Sequence, residues 1–223
     1  MKNKFIYLIS ALLVAVACFS CNDDDDNYNS NDLIGTWNYS GKASDVHLEF
    51  DYNGKINIPE GIIPPGGMPD GISGIISNGI DATTVKLVLP GIANKYMSKY
   101  FRGIKFTSET EMEILMTMND QPATLKTTYK IQKDVIKVST QSEGFRELLG
   151  TIPVPSIDLN YKIVNHELTI YLNTSYVKTL LAAASLVLNS SELPAEQQAT
   201  LKEFIKTFST NLKTLEFGAK LTK

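Results

Sequence analysis

Between residues 103 and 172 apolar and polar side chains alternate in short runs, and two-residue turns part several of them. A period of two is that of a strand buried on one face. Residues 111–118 place Met112, Ile114, Met116 and Met118 on one side. Residues 124–131 place Leu125, Thr127, Tyr129 and Ile131 against Lys126, Thr128 and Lys130. A Lys133-Asp134 turn leads to residues 135–139, and Asn165-His166 joins residues 158–164 to 167–172. Short, tightly linked strands of this kind form antiparallel meanders. The two later hairpins echo each other, Tyr129-Lys130-Ile131 with Tyr161-Lys162-Ile163, either as an internal repeat or because both obey the same alternation.

The same period opens and closes the body. In residues 33–40, Gly35, Trp37 and Tyr39 alternate with Thr36 and Asn38. In 46–51, Val46, Leu48 and Phe50 alternate with His47, Glu49 and Asp51. Asn53-Gly54 then signals a hairpin into residues 55–58. Residues 59–80 carry four prolines and six glycines, which break any regular element, though Ile62, Ile63, Ile75, Ile76 and Ile80 are too apolar to be wholly solvated. Residues 83–89 read equally as strand or helix. Residues 91–101 read as a helix, and 145–149 as a helical turn ended by Pro153 and Pro155.

A helix capped by Asn173 or Thr174 runs to residue 188. It is apolar on nearly every side and is expected to be well buried. A second helix starts around Ser191–Pro194, with Leu201, Phe204, Ile205, Phe208 and Leu212 as its stripe. Leu215, Phe217, Ala219 and Leu221 close the chain as a strand. The expected fold is mainly β with helical additions: an antiparallel meander barrel with a C-terminal helical pair before its closing strand.

The N-terminus sets the address. Lys2 and Lys4 precede an apolar run, residues 5–17, that is too short for a spanning helix. Cys18 and Cys21 follow, then Asp23 to Asp26. This order resembles that of bacterial lipoproteins, whose signal is cut before a cysteine that becomes acylated. Ala15, Val16 and Ala17 suit cleavage before Cys18. The Cys-Asn-Asp-Asp-Asp-Asp run after Cys21 resembles the surface-export signal of Bacteroidetes lipoproteins and favours Cys21. An uncleaved anchor and a Cys18–Cys21 disulfide are the other readings. The expected division is a signal over residues 1–20, a lipidated cysteine and acidic tether over 21–32, and one domain over 33–223. The implied location is the outer membrane, with the domain held at the cell surface by acyl chains. The tether holds five aspartates and almost nothing apolar, so it has little to bury. From Leu33 onward nineteen acidic and nineteen basic residues balance, which argues against nucleic acid as a partner.

The opening Leu-Ile-Gly-Thr-Trp strand, Phe50 and the Asn53-Gly54 turn resemble the start of lipocalin-like (calycin) domains. The resemblance implies a barrel with Trp37 at its closed end and an interior able to hold a ligand. The insertion over 59–101 and the late helices depart from that pattern. Residues expected to contact a small apolar ligand are Trp37, Tyr39, Met112, Met116, Met118, Tyr129 and Tyr161.

Little else carries chemistry. His47 and His166 have no ligand cluster around them in sequence, and no phosphate loop, dinucleotide fingerprint or nucleophile elbow occurs. The pairs Glu49 with Asp51 and Glu111 with Glu113 read as solvated strand faces. The expectation is a non-enzymatic binder without metal or cofactor. The alternative is a structural or adhesive module engaging protein or glycan through residues 59–80. An enzyme would require acids converging in a cleft.

Overall fold

Two turns set the meander. Asn119 and Asp120, and again Asn165 and His166, all have positive φ, between 49° and 63°. Two consecutive positive-φ residues make the type I′ turn, whose twist matches that of paired strands. The structure is a computed structural model that describes residues 30–59, 79–149, 155–190 and 193–223. The signal, Cys18, Cys21, nearly all of the acidic tether, most of the Gly/Pro-rich stretch and Pro153 lie outside the described residues.

After a single turn of helix, α1 (Ser30–Leu33), come β1 (Gly35–Asn38), β2 (Val46–Tyr52) and α2 (Ala82–Tyr100). Strands β3 (Phe101–Phe106), β4 (Glu111–Met118), β5 (Gln121–Gln132) and β6 (Val135–Ser139) lead to α3 (Glu143–Leu149). Strands β7 (Ser156–Val164) and β8 (Glu167–Leu172) precede α4 (Thr174–Val187), α5 (Ala195–Asn211) and β9 (Leu212–Thr222).

From β3 to β9 every strand pairs antiparallel with the next. β1 pairs β3 from Gly35↔Phe106 to Asn38↔Gly103, and Asn38 also meets Thr222 of β9. The sheet therefore closes as an eight-strand antiparallel barrel. β8 occupies one edge of β9, so β1 and β2 share the other: β2 pairs Val46↔Ala219 through Tyr52↔Leu212. The edge of β2 turned away from β9 packs against α2, which also touches β3 and β4.

Inside, the alternating residues meet in one core. Trp37, Phe106, Met112, Tyr129, Ile136, Leu168, Ile170 and Leu221 are all under 2 % exposed. Gly218 permits the tightest strand approach: a Cβ there would sit 1.9 Å from the Ile170 carbonyl oxygen. The interior of β8 and β9 is thus closed by backbone proximity as well as by side chains.

Several expectations change at the level of elements. The hairpin after Asn53-Gly54 does not form: β2 takes β9 as its partner, and only a single bridge joins Ile56 to Ile80. Residues 83–89 and 91–101 merge into α2, which runs through Pro90. Asp81 accepts from the Thr84 N–H at 2.7 Å and starts that helix firmly enough to carry the loss of one internal hydrogen bond at the proline. Leu212 belongs to β9 rather than to the stripe of α5. Within α4 only Val177 and Leu180 are buried, and Leu186 is 69 % exposed. One face of α4 meets β9 and α5, and the rest is half-buried or exposed. Its cap is Asn173, which accepts from the Tyr176 N–H at 2.5 Å.

Candidate functional site

The two ends of the barrel differ in construction. At the β1 end, Leu33 and Trp37 form a floor. The Trp37 indole N–H donates to the Leu33 carbonyl at 2.7 Å, and the Lys223 ammonium lies 4.7 Å from the ring centre while donating to the Asp32 carbonyl at 3.1 Å. Outside this floor is a shallow depression of about 370 Å³ bordered by Asp32, Ile163, Asn165, His166 and Lys223. Its deepest residue, Trp37, is only 1 % exposed, so a ligand there would meet the indole's cover rather than its face.

The opposite end, where β2 and β8 finish and β7 and β9 begin, is roofed by helices. Ala93 and Met97 of α2, Phe145 of α3, and Val177 and Leu180 of α4 enter the same core as the barrel interior. Around them Val85, Leu89, Met116, Tyr176, Leu181, Phe204 and Phe208 are only half-buried. Phe204 and Phe208 of α5 lie 5.9 Å apart, and Phe208 stacks on Tyr52 at 5.4 Å. Half-buried apolar side chains border the core at both ends, Ile34 and Ile163 beside the floor and the helical set at the roof.

The residues singled out in sequence fall at several places in this arrangement. Trp37, Met112, Tyr129 and Tyr161 are core, Met112 and Tyr129 each at 1 % exposure. Tyr129 packs edge-on against Phe106 at 5.1 Å and donates to the Ser108 carbonyl at 2.8 Å. Met116 is half-buried beneath the roof, and Met118 is exposed at the β4–β5 turn. Tyr39 is a buried member at the edge of the core, packed on Phe101 at 5.9 Å and donating its hydroxyl to the Asn94 side-chain oxygen at 2.7 Å. The expected contact set is thus not one surface: four members form the filled interior, Met116 lies under the roof, Tyr39 is buried at the core's edge and Met118 is exposed.

Titratable groups on the outer faces pair locally. His47 and Glu216 meet at 3.0 Å across β2 and β9, with the Tyr171 ring 4.8 Å from the imidazole. Glu113 sits between Lys105 and Lys126, Asp51 faces Lys213, and Lys137 bonds Asp158 at 2.9 Å. His166 occupies its I′ turn. Among the described residues no three His, Cys, Asp or Glu side chains gather as a metal site. Burial pushes the Tyr176 phenol well above its ordinary range, with Asp158 nearby adding to the effect; its hydroxyl donates to the Ser156 carbonyl at 2.8 Å. Burial raises Tyr129 as well, and Glu109 adds to it.

A second depression, of about 400 Å³, opens outside the barrel where α2 hands over to β3. Asn38, Ser40 and Gly41 form one wall, and Ser98, Phe101 and Arg102 the other, with Tyr39 between them. Arg102 carries no motif in the sequence. Its trace was the glycine beside it, a mark of bulges in strands.

No protein-family model, curated protein or solved structure matches the chain.

Proposed function

We propose that this chain is a lipid-anchored surface protein, held by an acylated Cys21 on its acidic tether, and that its barrel is a non-enzymatic binder of a small, largely apolar molecule. The observation that supports the reading is the set of half-buried apolar side chains that three helices bring over one end of a closed barrel. The barrel interior is filled by side chains, so a ligand of useful size belongs at the helical roof, among Val85, Leu89, Met116, Leu181, Phe204 and Phe208. Apolar side chains left half-buried on these helices suit such a guest, because each gains by completing its burial. Trp37, Met112 and Tyr129 then act as scaffold and touch no ligand.

The test is native mass spectrometry of the full chain purified from its own host, paired with uptake of a fluorescent fatty acid. The expected result is a retained mass lost on solvent extraction and saturable probe uptake that Leu181→Trp, by filling the roof, reduces. Absence of both a retained mass and saturable uptake would remove the reading.

A further inference from the structure

The strand pairing at Arg102 is irregular in a way that bears on what lies beside it. Ile104 and Phe106 point into the barrel, so a regular strand would carry Arg102 inward with them. Instead the β3–β4 register shifts between Phe101 and Gly103: Phe101 faces Met116, and Gly103 faces the adjacent Leu115. Arg102 is the extra residue of a β-bulge, a device that re-aims a side chain. Gly103 makes the bulge workable. It has φ +149°, and a Cβ there would lie 2.1 Å from the Trp37 carbonyl oxygen.

The bulge turns the guanidinium out of the core and into the wall of the outer depression, where Arg102 is exposed. Among the described residues its side chain makes no ion pair or hydrogen bond. Behind the lining, Asp45 accepts from the hydroxyl of Ser40, a lining residue, and, at 3.3 Å, from that of Ser44. Ser98 donates to the Asn94 carbonyl at 2.6 Å, which leaves its oxygen free to accept. Gly41, at φ +79°, lies close beside Ser98, where a Cβ would already make ordinary contact at 3.7 Å, so the two walls meet at this end of the depression. The cleft thus presents one planar cation, an exposed amide at Asn38, hydroxyls backed by a carboxylate, and the half-buried Phe101 ring.

We infer that this cleft binds a small hydroxylated anion, an acidic sugar or a sugar phosphate. Its carboxylate or phosphate takes the Arg102 fork, and its hydroxyls take Ser98 and the Ser40–Asp45 pair. Asp45 sits against the hydroxyl side and repels a bare anion, so hydroxyls on the ligand matter as much as its charge. The cleft lies outside the barrel and shares none of the roof residues, so this inference stands or falls apart from the apolar ligand.

Calorimetric titration of the full chain in detergent tests it with glucuronate and glucose 6-phosphate, with glucose and inorganic phosphate as controls. Saturable, salt-weakened binding of either acid, with glucose silent, is expected. Arg102→Gln should weaken it at least about tenfold and Arg102→Lys less, since lysine keeps the charge and loses the fork. Ser98→Trp should block the cleft from the helix side. The melting temperature should stay level in all three, because both positions are exposed. Failure of both acids to bind, unchanged affinity in Arg102→Gln and Ser98→Trp, or inorganic phosphate binding as tightly as glucose 6-phosphate would overturn the inference.

Discussion

Trp37 shows how much one side chain fixes. Its ring fills the barrel floor, its N–H satisfies the Leu33 carbonyl, and its outer edge is covered by Lys223. Trp37→Phe keeps a ring but leaves that carbonyl without its donor and opens a gap. The expected loss is about 2–4 kcal/mol, measured by urea unfolding. Lys223→Met should lose no more than about 1 kcal/mol, the scale of a partly exposed cation–π contact. Tyr129 and Tyr176 set the alkaline limit. Both phenols ionise less readily in the fold than the ordinary value of 10.0. The unfolded chain therefore gives up these protons first as pH rises, and their contribution, whole below about pH 10, is lost above it. Melting temperature followed from neutral to strongly alkaline pH should show that decline, and the Tyr129→Phe, Tyr176→Phe double variant should show a shallower one. An equal slope in both proteins would mean that other groups govern alkaline unfolding.

Among the elements, those where local chemistry and partner choice coincide could be read from sequence. β4, β6 and β8 have the bounds their alternation implies, because each is joined to a neighbour by a short turn and needs no distant information. β2 misled because its partner, β9, lies far along the chain. Asn53-Gly54 is a good turn signal, and its local chemistry says nothing about which strand follows. In α2 the β-branched Thr83, Thr84 and Val85 and the internal Pro90 argue against a helix, while the Asp81 cap and packing against β2 decide for one. Arg102 was hidden by the same limit, since a bulge is a relation between two strands. The tight β8–β9 approach offers a test at this scale. Gly218→Ala must drive the strands apart, since the new methyl group would overlap the Ile170 carbonyl. A loss of about 3 kcal/mol or more is expected by urea unfolding. Gly144→Ala, whose methyl group would make ordinary contact with Leu125 on a short surface helix, should be close to neutral. Equal effects would show that β8 and β9 have room to separate.

At the scale of the whole molecule, closure and anchoring are separate problems solved at separate places. Closure depends on β9, which pairs with β8, β2 and β1 together and ends at the floor beside Trp37. The cysteines are Cys18 and Cys21, both ahead of the first described residue, so no disulfide or thiol supports the barrel described here. If the proposed anchor is right, membrane attachment and folding must respond to different substitutions. Cys21→Ala should move the protein from the membrane to the soluble fraction of its host. Cys18→Ala should leave it attached. The melting temperature of the Cys21→Ala protein should equal that of the wild type after detergent extraction, because every residue of the described core lies after position 32. Release by Cys18→Ala instead would transfer the anchor to Cys18 and lengthen the tether by three residues. Retention of the double variant in the membrane would show that the apolar run at residues 5–17 stays in place as the anchor. The neutral body makes this a clean experiment: with nineteen charges of each sign from Leu33 onward, it has no net charge to hold it at an anionic surface once the acyl chains are gone.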